Sequence, residues 1–328
     1  MKNVRVLIIG ANSCAGINFF SHAIQNYGSV VATSRSSLNE EKYCPEKRSE
    51  LQTSFIVLDI NKNLNELDEI IRKYEINTVI NFASQSMVAE SWVTPEDWIA
   101  TNCDATYRLV KLIANKSEIK KFIHFSTPEV YGNAVGKVDE EHPFNPSTPY
   151  AATRALGDFF VKMWAREYGL PAIITRAANV YGPYQKLYRI IPKTFYSIMA
   201  SKKIPLHGGG KTRRDFVHTD DINNALDLLI KDGVIGETYH IFPGNYISIK
   251  ELVEKIGKLE GRKIEDIAVS VEDRKGKDLD YELSGEKMAK LGWCPKITID
   301  EGLLNVRNWF GRNATNFSEV DLNYEHQK

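Results

Sequence analysis

No stretch of the 328 residues stays apolar for long. The opening MKNVRVLIIGA is unbroken only from Val6 to Ile9, against the roughly 18 residues a membrane helix needs. It reads as a buried first strand rather than a leader, and no membrane partner is expected. The four cysteines, Cys14, Cys44, Cys103 and Cys294, stand far apart and form no CxxC pair, which fits a cytoplasmic protein. The seven histidines show no HxH or HExxH spacing, so no metal site is expected. Neither sign of charge is in excess, with 42 basic and 42 acidic residues. Nothing electrostatic therefore calls for nucleic acid as a partner. Internal repeats and long linkers are also missing. What remains is ordinary globular usage, 43% hydrophobic and 26% charged, in a chain long enough for one large domain or two intimate ones.

The first half alternates strand and helix. Strands are expected at Val4–Ile9, Ser29–Thr33, Phe55–Leu58, Thr78–Phe82, Phe122–Phe125 and 171–176. Helices are expected at 16–26, 64–74, 96–115 and 150–168, between and around them. Largely apolar strands separated by helices predict a doubly wound parallel sheet of about seven strands, the Rossmann-type α/β architecture. The second half is less regular, with helices at 189–201, from about Thr219, at 249–259 and at 299–310. Ser248 and Glu251 form a capping-box pattern before the third of these. The expected division is a dinucleotide-binding domain at 1–179, with 214–241 and 298–310 packing onto it. A smaller ligand-binding domain takes 180–213 and 242–297, and a tail covers 311–328.

After the first strand comes Gly10-Ala-Asn12-Ser13-Cys14-Ala-Gly16. A tight turn feeding a helix N-terminus offers free N–H groups and a favourable dipole to a pyrophosphate. Ser13 stands where a third glycine is expected. The second strand runs into Ser34-Arg35-Ser36 with no acid to hold ribose hydroxyls. Arginine with hydroxyls suits a 2′-phosphate, which favours NADP while NAD stays open. Asp59, after the third strand, is placed at the adenine, with Ile60 beside it.

Three segments carry candidate chemistry: Ser126-Thr127-Pro128-Glu129-Val130-Tyr131-Gly132, Tyr150 to Arg154, and Arg176 to Pro183. Tyr150 and Arg154 lie at i and i+4 on one helical face. A neighbouring cation favours tyrosinate, so a lowered tyrosine pKa and a base for an alcohol proton are expected. Glu129 sits at the C-terminal end of a strand, where such sheets place chemistry. Tyr181, Tyr184 and Tyr188 either stack on a base or sugar or pack at a domain interface.

This ordered series resembles the extended short-chain dehydrogenase/reductase superfamily, and within it the nucleotide-sugar 4,6-dehydratases of the dTDP-glucose type. The likeness spans nearly the whole chain. It includes Asn81-Phe82-Ala83-Ser84-Gln85-Ser86, Asn102, the STPEVYG and PSTPYAATR segments, Arg213 to Asp221, Asp273 to Asp278, and Leu291-Gly292-Trp293. The resemblance implies a dinucleotide held by the glycine turn, Phe82, Ala83, Ser84, Asn102, Tyr150 and Arg154. It implies a nucleoside-diphosphate sugar held by Gln85, Ser86, Ser126, Thr127, Asn179, Arg189, Arg214 and Arg274. Thr127, Tyr150 and Arg154 would oxidise sugar C4, Glu129 would take the C5 proton, and water would leave from C6. Homodimers are usual in the family.

The chain departs from that pattern. Lysine is usual at position 154 and aspartate at position 128, where it helps protonate the departing hydroxyl; here they are Arg154 and Pro128. The acid must then be Glu129 itself, a water or a residue of the second domain. Decarboxylases, epimerases and 4-dehydrogenases of the same superfamily stay open, as does a non-catalytic nucleotide-sugar-binding module.

Overall fold

The computed structural model describes residues 1–45, 48–134, 136–272, 282–317 and 326. The chain opens with β1 (Arg5–Ile9), α1 (Cys14–Asn26), β2 (Ser29–Ser34), α2 (Arg48–Thr53) and β3 (Phe55–Val57). It continues through α3 (Leu64–Lys73), β4 (Thr78–Asn81), α4 (Pro95–Trp98), α5 (Thr106–Ala114) and β5 (Lys121–Ser126). Next come β6 (Lys137–Val138), α6 (Pro149–Tyr168), β7 (Ala172–Ala177), β8 (Asn179–Tyr181), α7 (Ile190–Met199) and β9 (Ile204–His207). The remainder is β10 (Arg213–His218), α8 (Thr219–Asp232), β11 (Thr238–Ile241), β12 (Tyr246–Ser248), α9 (Ile249–Leu259), α10 (Ile264–Ile267), β13 (Ala268–Val271), β14 (Glu282–Leu283), α11 (Glu286–Lys290) and α12 (Ile299–Arg312).

Seven strands form one parallel sheet in the order β11-β7-β5-β4-β1-β2-β3. The strands are apolar on both faces because helices cover both. Val6 and Ile8 of β1 face one core, and Leu7 and Ile9 face the other. Each fully buried Val, Leu or Ile contributes about 1.5–3 kcal/mol relative to exposure. The chain reverses direction across the sheet between β1 and β4. A doubly wound sheet opens a crevice for ligands there, beyond the strands' C-terminal ends. A three-stranded sheet, β12-β10-β8, and the pair β13-β9 stand apart from the large sheet.

Local signals explain the helices that carry the site. Thr148 caps α6 by accepting from the Ala151 N–H, Pro149 fills the first turn, and Gly169 ends the helix at φ 67°. The capping box of Ser248 and Glu251 forms on α9, and Thr298 with Glu301 makes a second on α12. Two details differ from the sequence expectation. Residues 96–115 are not one uniform α-helix, because Ile99–Ala105 is wound as a π segment between α4 and α5. α12 turns Leu303, Val306 and Phe310 toward Phe195, Leu252 and Ile256, so it packs on the α7 and α9 side rather than against the large sheet.

Candidate active site

A cleft of about 690 Å³ opens above the switch point. One wall is the glycine turn. Gly10 sits at φ +81°, and a Cβ there would lie 2.5 Å from the Ala83 backbone nitrogen. A Cβ on Gly16 would lie 2.5 Å from the Gly10 carbonyl oxygen. Both positions therefore need glycine, and the turn is closed enough to bring backbone to a pyrophosphate. Ser13 is no defect: at φ −70° it is the N-cap of α1, its Oγ accepting from the Gly16 N–H at 3.0 Å. Among the described residues, this turn and the N-terminus of α1 fit a dinucleotide diphosphate.

The polar groups of this wall are largely bonded to one another. Asn12 donates to Ser36 Oγ at 3.1 Å and Ser37 O at 2.7 Å, and accepts from the Asn39 N–H. It thereby braces the loop that presents Ser34 and the exposed Arg35. Asp59 accepts from the Asn61 N–H at 2.9 Å and shapes the turn holding the buried Ile60. Asn102, carried inward by the π segment, accepts from Gln85 N and donates to Gln85 O and Thr153 Oγ1. It clamps the strand-end segment Phe82–Gln85 to α6. Asn102 and Gln85 are both buried behind the cleft surface.

The other wall rises from the end of β5. Thr127 caps a single 3-10 turn, Pro128–Tyr131, where Pro128 fills the first position and costs no hydrogen bond. Glu129 projects into the cleft beside Thr127, Tyr150 and Arg154. Tyr150 is buried, and its hydroxyl is hydrogen-bonded to Thr127. Its pKa is raised, which corrects the sequence expectation. Burial dominates and the Glu129 carboxylate adds to it; Arg154, Thr127 and Arg189 pull the other way without reversing the sign. Arg154 is only 3% exposed, and Nη2 donates to the Phe125 carbonyl of β5. Its buried Nε and the buried Ser126 Oγ have no hydrogen-bond partner among the described residues.

A buried polar chain braces this wall from behind. Arg176, beside Ser126 in the β5–β7 register, is fully buried. Its Nε and Nη2 donate to Asp158 Oδ2 of α6 at 3.1 and 2.8 Å, and its Nη1 donates to the Tyr131 hydroxyl. The Tyr131 hydroxyl also meets His240 Nε2 at 2.7 Å. His124 and His240 are held neutral, both pushed down to about 3, chiefly by burial and then by nearby arginines.

Across the cleft stand Asn179, Arg189 and Arg214, with Ser86 accepting from Arg189 Nη2 at 2.8 Å. Arg274 lies outside the described residues. The tyrosine cluster divides: Tyr181 is buried against Phe216 and His218, Tyr184 packs on Trp309, and Tyr188 lines the cleft. Sequence reasoning missed Lys186, Lys193 and Glu90, which also line it. Lys186 Nζ lies 3.8 Å from the Tyr43 ring centroid, and burial lowers its pKa. Lys186 lies in a loop, Lys193 in the first turn of α7 and Glu90 at the start of a short 3-10 turn, and an isolated charge at such places gives no periodic signal.

A parallel sheet with a diphosphate-fitting turn at its switch point, and a Thr–Tyr–Arg set beside it, defines an extended short-chain dehydrogenase/reductase. The chain belongs to the GDP-mannose 4,6 dehydratase family, whose model matches residues 7–306. It is 33% identical to the dTDP-glucose 4,6-dehydratase of Haemophilus influenzae over 77% of this chain and 81% of that one. It is 30% identical to the human dTDP-D-glucose 4,6-dehydratase over 97% of this chain and 93% of that one. Among solved structures, the dTDP-glucose 4,6-dehydratase DesIV from Streptomyces venezuelae, with NAD bound, superposes with a TM-score of 0.85 at 29% identity, covering 96% of this chain and 99% of that one.

Proposed function

We propose that this protein is an NAD-dependent 4,6-dehydratase of a nucleoside-diphosphate hexose, forming a 4-keto-6-deoxy sugar. The observation that carries the reading is the convergence of Thr127, Glu129 and Tyr150 in one cleft with the dinucleotide cradle. Gly10, Ser13, Cys14 and Gly16 would hold the diphosphate, with Phe82, Ser84 and Arg154 nearer the nicotinamide end. When bound, the nicotinamide would supply a hydride acceptor for C4 and a hydride donor for C6. The positive charge of an oxidised nicotinamide would offset the burial that raises the Tyr150 pKa, so that Tyr150 can accept the C4 hydroxyl proton, with Thr127 orienting that hydroxyl. Arg154 supplies a fixed positive charge in place of a lysine, and its unsatisfied Nε is a donor for a ribose oxygen. A 4-keto group acidifies C5–H, and Glu129 removes that proton. Asn179, Lys186, Arg189 and Arg214 suit the sugar-nucleotide diphosphate, because a dianionic group entering the cleft meets mainly cations and amides. The bound NAD of the relatives supports NAD, while Arg35 leaves room for NADP.

The same reading assigns residues 1–179 to cofactor binding and 180–213 with 242–297 to the sugar nucleotide. It also includes a homodimer. Leu156, Phe159 and Met163 are exposed along one stripe of α6 at 43%, 48% and 39%. A second copy covering them would remove a continuous apolar surface from water. No described helix is long and apolar enough to cross a membrane.

Mass spectrometry on dTDP-glucose, UDP-glucose, GDP-mannose and UDP-glucuronate tests the reaction. Loss of one water from a hexose is expected. Loss of carbon dioxide, an isobaric product or loss of two hydrogens alone would each replace the dehydratase reading with another.

A further inference from the structure

Elimination of water from C6 needs two proton-handling groups, a base at C5 and an acid at the departing oxygen, because hydroxide is a poor leaving group. Pro128 offers no acid. Among the described residues lining the cleft there are two carboxyl groups, Glu129 and Glu90. Glu90 comes from the short turn after β4, on the dinucleotide side, and not from the second domain. Its Oε2 is shut away from solvent and has no hydrogen-bond partner among the described residues. Such an oxygen is costly to leave unsatisfied. A ligand hydroxyl would satisfy it.

The turn bearing Glu90 is tied to the catalytic helix. The adjacent Ser91 is fully buried; its Oγ accepts from the Tyr150 N–H at 3.1 Å and donates to Val88 O at 2.6 Å. Glu90 thus follows the residue that handles the C4 hydroxyl. C4 and C6 are both bonded to C5, so an acid for the C6 oxygen must stand close to the C4 apparatus.

We propose that Glu90 is a catalytic residue of this chain, the general acid that protonates the departing C6 oxygen, and this rests on the dehydratase reading. In the 4-keto sugar, Glu129 takes the C5 proton and the C5–H electron pair becomes the C5=C6 double bond. The C6–O bond breaks, and its electron pair leaves on oxygen. That oxygen receives the proton of the Glu90 carboxyl and departs as water. Glu90 is left ionised and Glu129 protonated, so charge and atoms balance. The division of labour is one carboxyl as base and one as acid.

The test compares wild type with Glu90→Gln on whichever of dTDP-glucose, UDP-glucose or GDP-mannose the wild type dehydrates, and on its 6-deoxy-6-fluoro analogue. Glutamine keeps the volume and cannot give the proton. Water loss should slow about 100-fold, the low end of general-acid effects. Exchange of the C5 hydrogen with deuterated solvent should persist, since Glu129 is intact. Fluoride leaves without prior protonation, so the variant should release it at close to the wild-type rate. Wild-type water loss in the variant would overturn the acid assignment alone. An equal slowing with hydroxyl and fluorine would also overturn it, because a disturbed site would hinder both. Absence of water loss from wild type on every hexose would instead remove the dehydratase reading, and the acid role with it.

Discussion

The two walls of the cleft are built on opposite terms. On the dinucleotide wall, Asn12, Asp59 and Asn102 spend their side chains on the protein's own backbone. On the catalytic wall, Ser126 Oγ and Arg154 Nε are buried and unanswered among the described residues. The first arrangement makes a shape, and its specificity resides in where the chain runs. The second holds open polar groups against the cost of their desolvation, and a ligand repays it. Substitutions on the two walls should therefore fail differently: one in binding and stability, the other in rate.

The largest expected effect is on the catalytic wall. Tyr150→Phe should lower kcat at saturating NAD by about 10²–10⁴-fold, far more than it weakens NAD affinity by calorimetry. A matching loss of NAD affinity would erase the distinction between the walls. Behind the same wall, neutral burial of His124 and His240 has a pH consequence. Both sit at about 3 when folded against an ordinary 6.5, so between these values the unfolded chain binds more protons. Stability is then full above pH 6.5 and falls as pH drops, by up to about 1.4 kcal/mol per pH unit for each histidine. Urea unfolding from pH 7 to 4 checks this, and His240→Gln should flatten the slope. A flat wild-type profile would show that the two rings are not held neutral.

On the dinucleotide wall, Asn102→Ala should cost about 2–3 kcal/mol in urea unfolding, since it strands the Gln85 N–H and carbonyl inside. Its kcat at saturating NAD should stay near wild type. A rate loss as large as that of Tyr150→Phe would place Asn102 with the chemistry. The smallest effect belongs to Arg35→Asp, at the exposed rim. NADP affinity should weaken about 10-fold with NAD affinity unchanged, as suits one solvent-exposed charge contact. Equal response of both cofactors would remove the 2′-phosphate role.

Much of this was legible in the sequence where period and punctuation carry it. The apolar strands, the amphipathic α9 with its Ser248–Glu251 box, and the glycines at 10 and 16 follow from local rules. Thr127, Tyr150 and Glu129 were reachable through their ordered spacing. The failures share a cause, because each depends on tertiary surroundings. The i, i+4 placing of Arg154 predicted a lowered Tyr150 pKa, and burial, invisible in spacing, reversed the sign. Ser13 read as a missing glycine and is a helix cap. Nothing in 96–115 announces a π turn, yet that turn aims Asn102 at Gln85. Glu90 looked like any loop carboxylate until the fold placed it in the cleft.

The Arg176–Asp158 pair bears on how such a chain can diverge. Both residues are 0% exposed, and they bridge β7 to α6 while Arg176 also reaches Tyr131. Losing either strands its partner's charge indoors, at about 3–5 kcal/mol, whereas exchanging both for well-packed apolar residues can be neutral. Single-step descendants at either position are therefore disfavoured, and only paired changes lead out. Drift at 158 and 176 should be correlated among viable variants, while exposed Arg35 is free to vary with whichever cofactor a lineage adopts.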